Sequence, residues 1–124
     1  VTTDYIKNIW NSYEIHLTDN YPRELLTYYL YRKDQPNPFH RNYFWHETPA
    51  GFIQVAQTYP FERRTKGLAF FMFATHTNDE VAESLLSQFP QAEKKYIWYK
   101  NGMITRMASL MIAIPSQNSN RYRE

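Results

Sequence analysis

Gly67-Leu68-Ala69-Phe70-Phe71-Met72-Phe73-Ala74 is the stretch on which the fold turns. An unbroken apolar run behind a glycine shows neither the three-and-four spacing of an amphipathic helix nor the alternation of a half-buried strand. Read alone, it suits a strand buried on both sides. Continued back to Pro60, it suits a helix of about four turns. Ala, Met and Leu favour helix, and both flanking segments read as helical, so helix is the expectation.

Downstream, Thr77-Asn78-Asp79-Glu80 carries a capping box, a hydroxyl at the N-cap with a carboxylate three residues on. Val81, Ala82, Leu85, Leu86 and Phe89 then give one apolar face. From Gln91 onward, Tyr96, Tyr99, Met103, Met107, Leu110, Met111 and Ile114 recur at intervals of three and four, which predicts a long last helix ended by Pro115. The alternative is a hairpin turning at Asn101-Gly102, a pair that favours two-residue β-turns. Glycine inside a helix costs about 1 kcal/mol relative to alanine, which a long buried stripe offsets. Were both stretches strands, the fold would be α+β.

Upstream, Tyr5, Ile6, Ile9, Trp10, Tyr13 and Leu17 predict a helix over residues 3–17, capped by Thr2 or Thr3. Pro22 opens a second helix with Leu25, Leu26, Tyr29 and Leu30, and the prolines at 36 and 38 make residues 34–38 a connector. Residues 39–47 read as an irregular loop pinned by Phe39, Tyr43, Phe44 and Trp45. Thr48-Pro49 starts a third helix with Phe52, Ile53, Ala56 and Tyr59. The expected fold is thus mostly α: a helical bundle with an irregular aromatic-rich loop, one domain over residues 1–115, and a polar, flexible tail over 116–124.

Several chemistries are excluded. The chain has no cysteine, hence no disulfide, thiolate metal site or cysteine nucleophile. Gly51, Gly67 and Gly102 cannot build a phosphate loop. His40 and His46 share a loop with Glu47, but their spacing matches no established ligand pattern. No nucleophile stands beside His16, His40, His46 or His76 in any recognisable motif, so neither an enzyme, a cofactor nor a metal is expected. No apolar run approaches the roughly 18 residues that span a bilayer. Val1-Thr2-Thr3-Asp4 does not resemble a signal peptide, and a start without Met reads as a trimmed end that has lost an upstream segment.

Charge points towards a partner. Residues 1–62 hold five basic and seven acidic side chains, residues 63–124 nine and five, so the basic character lies in the second half. On the expected helices, Arg63, Arg64 and Lys66 open the fourth, while Lys94, Lys95, Lys100 and Arg106 line the last. Packed side by side, these helices would offer one cationic strip to the phosphates of double-stranded DNA. The 11 Tyr, 8 Phe and 3 Trp are many for so short a chain; they read first as filling the core and its rim, and they also suit self-association, other protein contacts or stacking on nucleic-acid bases.

The pattern Pro60 to Ala74, Thr77 to Phe89 and Pro90 to Ile114, without cysteine and rich in tyrosine, resembles the helical-bundle coat proteins of filamentous archaeal viruses, the lipothrixvirus and rudivirus group. The resemblance implies a DNA-wrapping capsid subunit that assembles with copies of itself or a related subunit, located in a virion. The alternatives are a cytoplasmic protein-interaction module of a secretion or conjugation assembly, and a small nuclease or hydrolase using His40, His46 or His76. The DNA reading predicts salt-sensitive, sequence-tolerant binding, measurable by gel shift against salt.

Overall fold

Phe70 lies opposite Ile112 in an antiparallel ladder, with Leu68 opposite Ile114 and Met72 opposite Leu110. The run behind Gly67 is therefore a strand, and it sits at the centre of a sheet. The computed structural model describes residues 3–18, 21, 43–100 and 106–116. Its elements are α1 (Thr3–Ser12), β1 (Glu14–Thr18), β2 (Phe44–His46), α2 (Ala50–Thr58), β3 (Leu68–Phe73), α3 (His76–Gln88), β4 (Glu93–Lys100) and β5 (Arg106–Ile114). The strand order is β2-β1-β3-β5-β4. β1 runs parallel to both β2 and β3, whereas β5 is antiparallel to β3 and β4.

The expected mostly-α bundle is thus overturned by a five-stranded mixed sheet with three helices among the described residues, an α+β fold. The physical reason is burial on both faces. Leu68, Phe70 and Met72 pack with Phe52 and Ala56 of α2 and with Ala82 and Leu85 of α3. Ala69 and Phe71 pack on the opposite face with Ile6, Ile9 and Trp10 of α1. A strand covered on both sides has no polar face, so its sequence does not alternate.

The same cause corrects the last helix. On β5, Leu110, Ile112 and Ile114 fill one face while Met111 and Ala113 fill the other. Apolar residues of both parities always contain a subset spaced by three and four, and that subset mimicked a helical stripe. The 91–114 stretch is instead two antiparallel strands, with Lys100 opposite Arg106 as the last pair, as the α+β alternative required. Its turn at Asn101-Gly102 lies outside the described residues.

Three helices stand where the sequence placed them, with altered ends. The first closes at Ser12, and the next residues alternate as a strand instead of continuing to 17. α2 follows Thr48-Pro49, but Pro49 itself stands at the N-cap and no side chain, the Thr48 hydroxyl included, caps the helix. α3 is capped two residues earlier than the capping box suggested: the Thr75 hydroxyl accepts from the Asn78 amide at 3.1 Å, and Asn78 Nδ2 donates to the Phe73 carbonyl at 3.0 Å. The loop expected over 39–47 contains β2. The second expected helix (22–30), the 34–38 connector and residues 117–124 lie outside the described residues. Ser116, the first residue of the expected tail, is buried, and its hydroxyl donates to the Thr65 carbonyl at 3.0 Å.

Gly67 is where three strands close against one another. The Glu14 amide donates to its carbonyl at 2.9 Å. A Cβ at residue 67 would lie 2.3 Å from the Ile114 carbonyl oxygen, 2.8 Å from Pro115 Cα and 2.9 Å from the Tyr13 ring. Two of these neighbours are backbone atoms of a paired strand end and cannot swing aside. Gly67→Ala should therefore cost at least about 2 kcal/mol by overpacking, read as a lower urea midpoint with an unchanged m-value.

Candidate functional site: a carboxylate–histidine–histidine chain beside an aromatic edge

β1 has the sequence Glu-Ile-His-Leu-Thr, and its period of two separates its chemistry by face. Ile15 and Leu17 point into the α1 core. Glu14, His16 and Thr18 take the other face, the one that carries Phe70 of β3 and is covered by Phe52 of α2. In the neighbouring parallel strand, Phe44 lies opposite His16 and His46 opposite Thr18. The register thus brings two imidazoles and a carboxylate into line beside Phe44, Phe52 and Phe70.

Their hydrogen bonds form one chain. His16 Nε2 lies 2.9 Å from Glu14 Oε2, and His16 Nδ1 lies 2.8 Å from His46 Nε2. A carboxylate only accepts, so neutral His16 carries its proton on Nε2 and presents a lone pair at Nδ1. His46 Nε2–H then donates to that lone pair. Rings fix the geometry: His16 stacks on Phe44 at 4.9 Å and 18° and tilts against Phe70 at 5.3 Å. His46 meets Phe52 edge-on at 5.0 Å. Its Nδ1 is only 2.9 Å from where a Cβ on residue 51 would stand, so Gly51 lets the ring rest on the first turn of α2.

His16 is 4% exposed. Burial lowers its pKa below the ordinary 6.5; the Glu14 hydrogen bond and charge oppose this, and His46 adds a further lowering. The Thr18 hydroxyl, on the same face, is buried without a hydrogen-bond partner among the described residues. Among the described residues, no group of three or more His, Asp or Glu is placed to hold a metal ion. The chain of bonds runs from a part-exposed carboxylate to a ring lodged against a helix start. That arrangement is suited to holding a proton and joining β1, β2 and α2.

Beside it lies an aromatic edge. β2 is the outermost strand on this side among the described residues, and it presents Phe44 at 51% and Trp45 at 57% exposure. Adjacent strand residues point to opposite faces, so the two rings flank the edge. Each has a partner ring behind it: Phe44 lies on His16, and Trp45 stacks with Tyr43 at 6.1 Å and 17°. A separate recess of about 240 Å³ opens where β3 gives way to α3, lined by Ala74, Thr75, His76, Asp79, Tyr96 and Leu110.

The cations picked out from the sequence do not share one side. Arg63, Arg64 and Lys66 are exposed together in the connection that leads into β3. Lys94 and Lys95 are consecutive on β4 and face opposite ways. Lys94 is bound by Asp79 and, at 2.9 Å, by Glu83; the Asp79 hydrogen bond leads in raising its pKa. Lys95 reaches over the Tyr5 ring at 5.9 Å. Lys100 and Arg106 are paired positions at the other end of the β4–β5 ladder. Seven strand residues beyond Glu93, that end is about 23 Å from the Arg63 end.

The sequence reading missed His16 and Glu14 because it carried α1 through to residue 17. The available signal was the strict polar–apolar alternation of residues 14–18. From sequence, His46 reads only as a loop residue beside His40 and Glu47, and His40 lies outside the described residues.

No family model, curated protein or solved structure matches this chain. The likeness to viral coat proteins lies in bundle architecture and in composition, and the sheet removes the architectural part of it.

The lowered pKa of His16 makes stability depend on pH. Just below pH 6.5 the unfolded chain binds a proton that folded His16 refuses, so this contribution is complete above 6.5 and is lost as pH falls through the folded value. The urea midpoint should fall on acidification through this range. His16→Gln should flatten that dependence and cost about 1–3 kcal/mol at neutral pH by breaking the buried chain, both measurable by urea denaturation at a series of pH values.

Proposed function

We propose that this domain is a non-enzymatic binding module whose working surface is the β2 edge, and that its partner is an extended polypeptide segment laid alongside that strand. The observation that carries this reading is the exposure of Phe44 and Trp45, in a chain that buries Phe52, Phe70 and Phe71 completely. Large aromatics dominate binding energy where they are already held in place, because little side-chain freedom remains to be lost. Both rings meet that condition through the stacking contacts behind them. A segment added to the strand edge would find one ring on each of its faces, with main-chain hydrogen bonds supplying affinity. A second copy of the chain is one such partner.

Catalysis is less well supported. The Thr18 hydroxyl lies on the same face as the two histidines, but among the described residues no hydrogen bond joins it to either ring. A DNA-contacting role would fall to Arg63, Arg64 and Lys66, which are exposed in one connection; Lys94 is engaged by two carboxylates, and Lys95 points away from it. A virion or nucleoprotein role would therefore rest first on these three cations rather than on a strip running through Lys94 and Lys95.

Trp45→Ala should leave folding stability within about 1 kcal/mol, as a half-exposed side chain implies. It should weaken self-association in light scattering, or binding of extended peptides selected from a display library, by at least about tenfold, roughly 1.4 kcal/mol. Affinities unchanged by both Trp45→Ala and Phe44→Ala would refute the edge as the binding surface. Salt-sensitive binding of duplex DNA that survives Trp45→Ala but disappears on replacing Arg63, Arg64 and Lys66 would establish the nucleic-acid reading in its place.

A further inference from the structure

We propose that the carboxyl edge of β1 and β3, between the starts of α2 and α3, is a binding site for a small phosphate-bearing anion, with the Thr18 hydroxyl at its base.

Topology places the site. From β1 the chain passes to β2 on one side, and from β3 it passes through α3 to β4 on the other. β1 and β3 are adjacent and parallel, so their connections diverge beyond their carboxyl ends. Such a divergence is where open sheets take their ligands. Past Thr18 the described chain turns to the other face of the sheet. The Tyr21 amide donates to the Thr18 carbonyl at 3.0 Å, the Tyr21 ring meets Phe71 on the α1 side, and its hydroxyl lies 2.7 Å from that of Ser109.

Two helix starts flank the crevice. α2, of nine residues, follows β2, and α3, of thirteen, follows β3. Both run back over one face, joined near their far ends where Gln57 Nε2 donates to Gln88 Oε1 at 2.9 Å. The positive ends of both helix dipoles therefore lie at the same edge of the sheet. In α3 the amides of Asn78 and Asp79 are satisfied by Thr75. α2 has no side-chain cap, and the Phe52 amide turns back to the Pro49 carbonyl, which leaves the Ala50 and Gly51 amides as donors. Ala50, Thr75, His76 and Thr77 are exposed, so solvent reaches both starts. Early in α3, Asp79 is held by Lys94 and Glu80 lies 3.4 Å from His76.

Thr18 is the observation that points to a ligand. As the last residue of β1 it lies between β2, which feeds α2, and β3, which feeds α3. Ile15 and Leu17 take the α1 face, so Thr18 projects to the other, opposite His46, whose ring rests on Gly51 in the first turn of α2. It is 5% exposed, and its hydroxyl has no hydrogen-bond partner among the described residues. A buried hydroxyl without a partner weakens folding, and valine would fill the same space without that cost. An acceptor arriving from outside explains the hydroxyl. Backbone amides and a hydroxyl converging on one place suit a group with several acceptor oxygens, and two helix starts favour a dianion over a carboxylate, which is the chemistry of phosphate. Nothing in this site requires the β2 edge to bind a partner.

Nuclear magnetic resonance of the chain titrated with inorganic phosphate, at constant ionic strength balanced with chloride, tests the proposal. The amide signals of Ala50, Gly51, His76 and Thr77 should shift together and saturate with one dissociation constant below about 10 mM, and sulfate should compete. Thr18→Val should raise the urea midpoint and weaken phosphate binding by at least about fivefold. Ala50→Asp puts a carboxylate where the dipole of α2 favours it for folding, and it should weaken phosphate binding by at least about tenfold. Glycerol phosphate is the second probe: tighter binding than inorganic phosphate assigns the site to an ester, equal or weaker binding to the free ion. The proposal is overturned if the shifts are absent, do not saturate or fall elsewhere, or if either variant binds phosphate as the unaltered chain does. Should Thr18→Val not fold, Ala50→Asp decides alone.

Discussion

Everything in this fold leans on β3 being covered from both sides. Phe70 and Phe71 are consecutive, each wholly buried, and they belong to different cores. Only an extended chain can divide neighbours in that way, since successive strand residues project to opposite faces. Once β3 is fixed, β5 must pair along it to satisfy its backbone, and β1 must take the other side. The helices then follow from the need to cover two apolar faces.

Connection handedness sets which helix covers which face. From β2 to β3 the chain moves two places across the sheet through α2, and from β3 to β4 two further places in the same direction through α3. Both pairs run parallel, and parallel crossovers are overwhelmingly right-handed, so α2 and α3 must share a face. The polar residues of β1 fall on that shared face at its thin margin, beyond the contact of α2 with α3. His16 is there because β1 pairs with an edge strand of three residues, leaving room beside Phe52 for a second ring.

The helices were legible wherever one face met solvent: Ile6, Ile9 and Trp10 in α1, or Ala82 and Leu85 in α3, stand at helical spacing with polar residues between them. The sheet was not legible from β3 or β5, because two-sided burial erases alternation. β1 is the instructive miss. Residues 14–18 alternate cleanly, yet Tyr13 and Leu17 happened to extend the spacing of α1, and the longer pattern prevailed over the shorter. That one choice concealed the histidine pair, since Glu14 and His16 share a face in a strand but stand about 200° apart around a helix. The cationic strip failed for the same reason. Lys94 and Lys95 lie on neighbouring parts of a helix surface but on opposite sides of a strand.

With α2 and α3 committed to one side, α1 is the only described helix over Phe71, Met111 and Ala113. Among the described residues, the ten of α1 therefore shield Phe71, Met111 and Ala113 together with Tyr21, and Trp10 is the broadest tile. Such a segment cannot serve as a detachable arm. Proteolytic trimming up to Tyr13 would strip Ile6, Ile9 and Trp10 from this apolar face and favour aggregation.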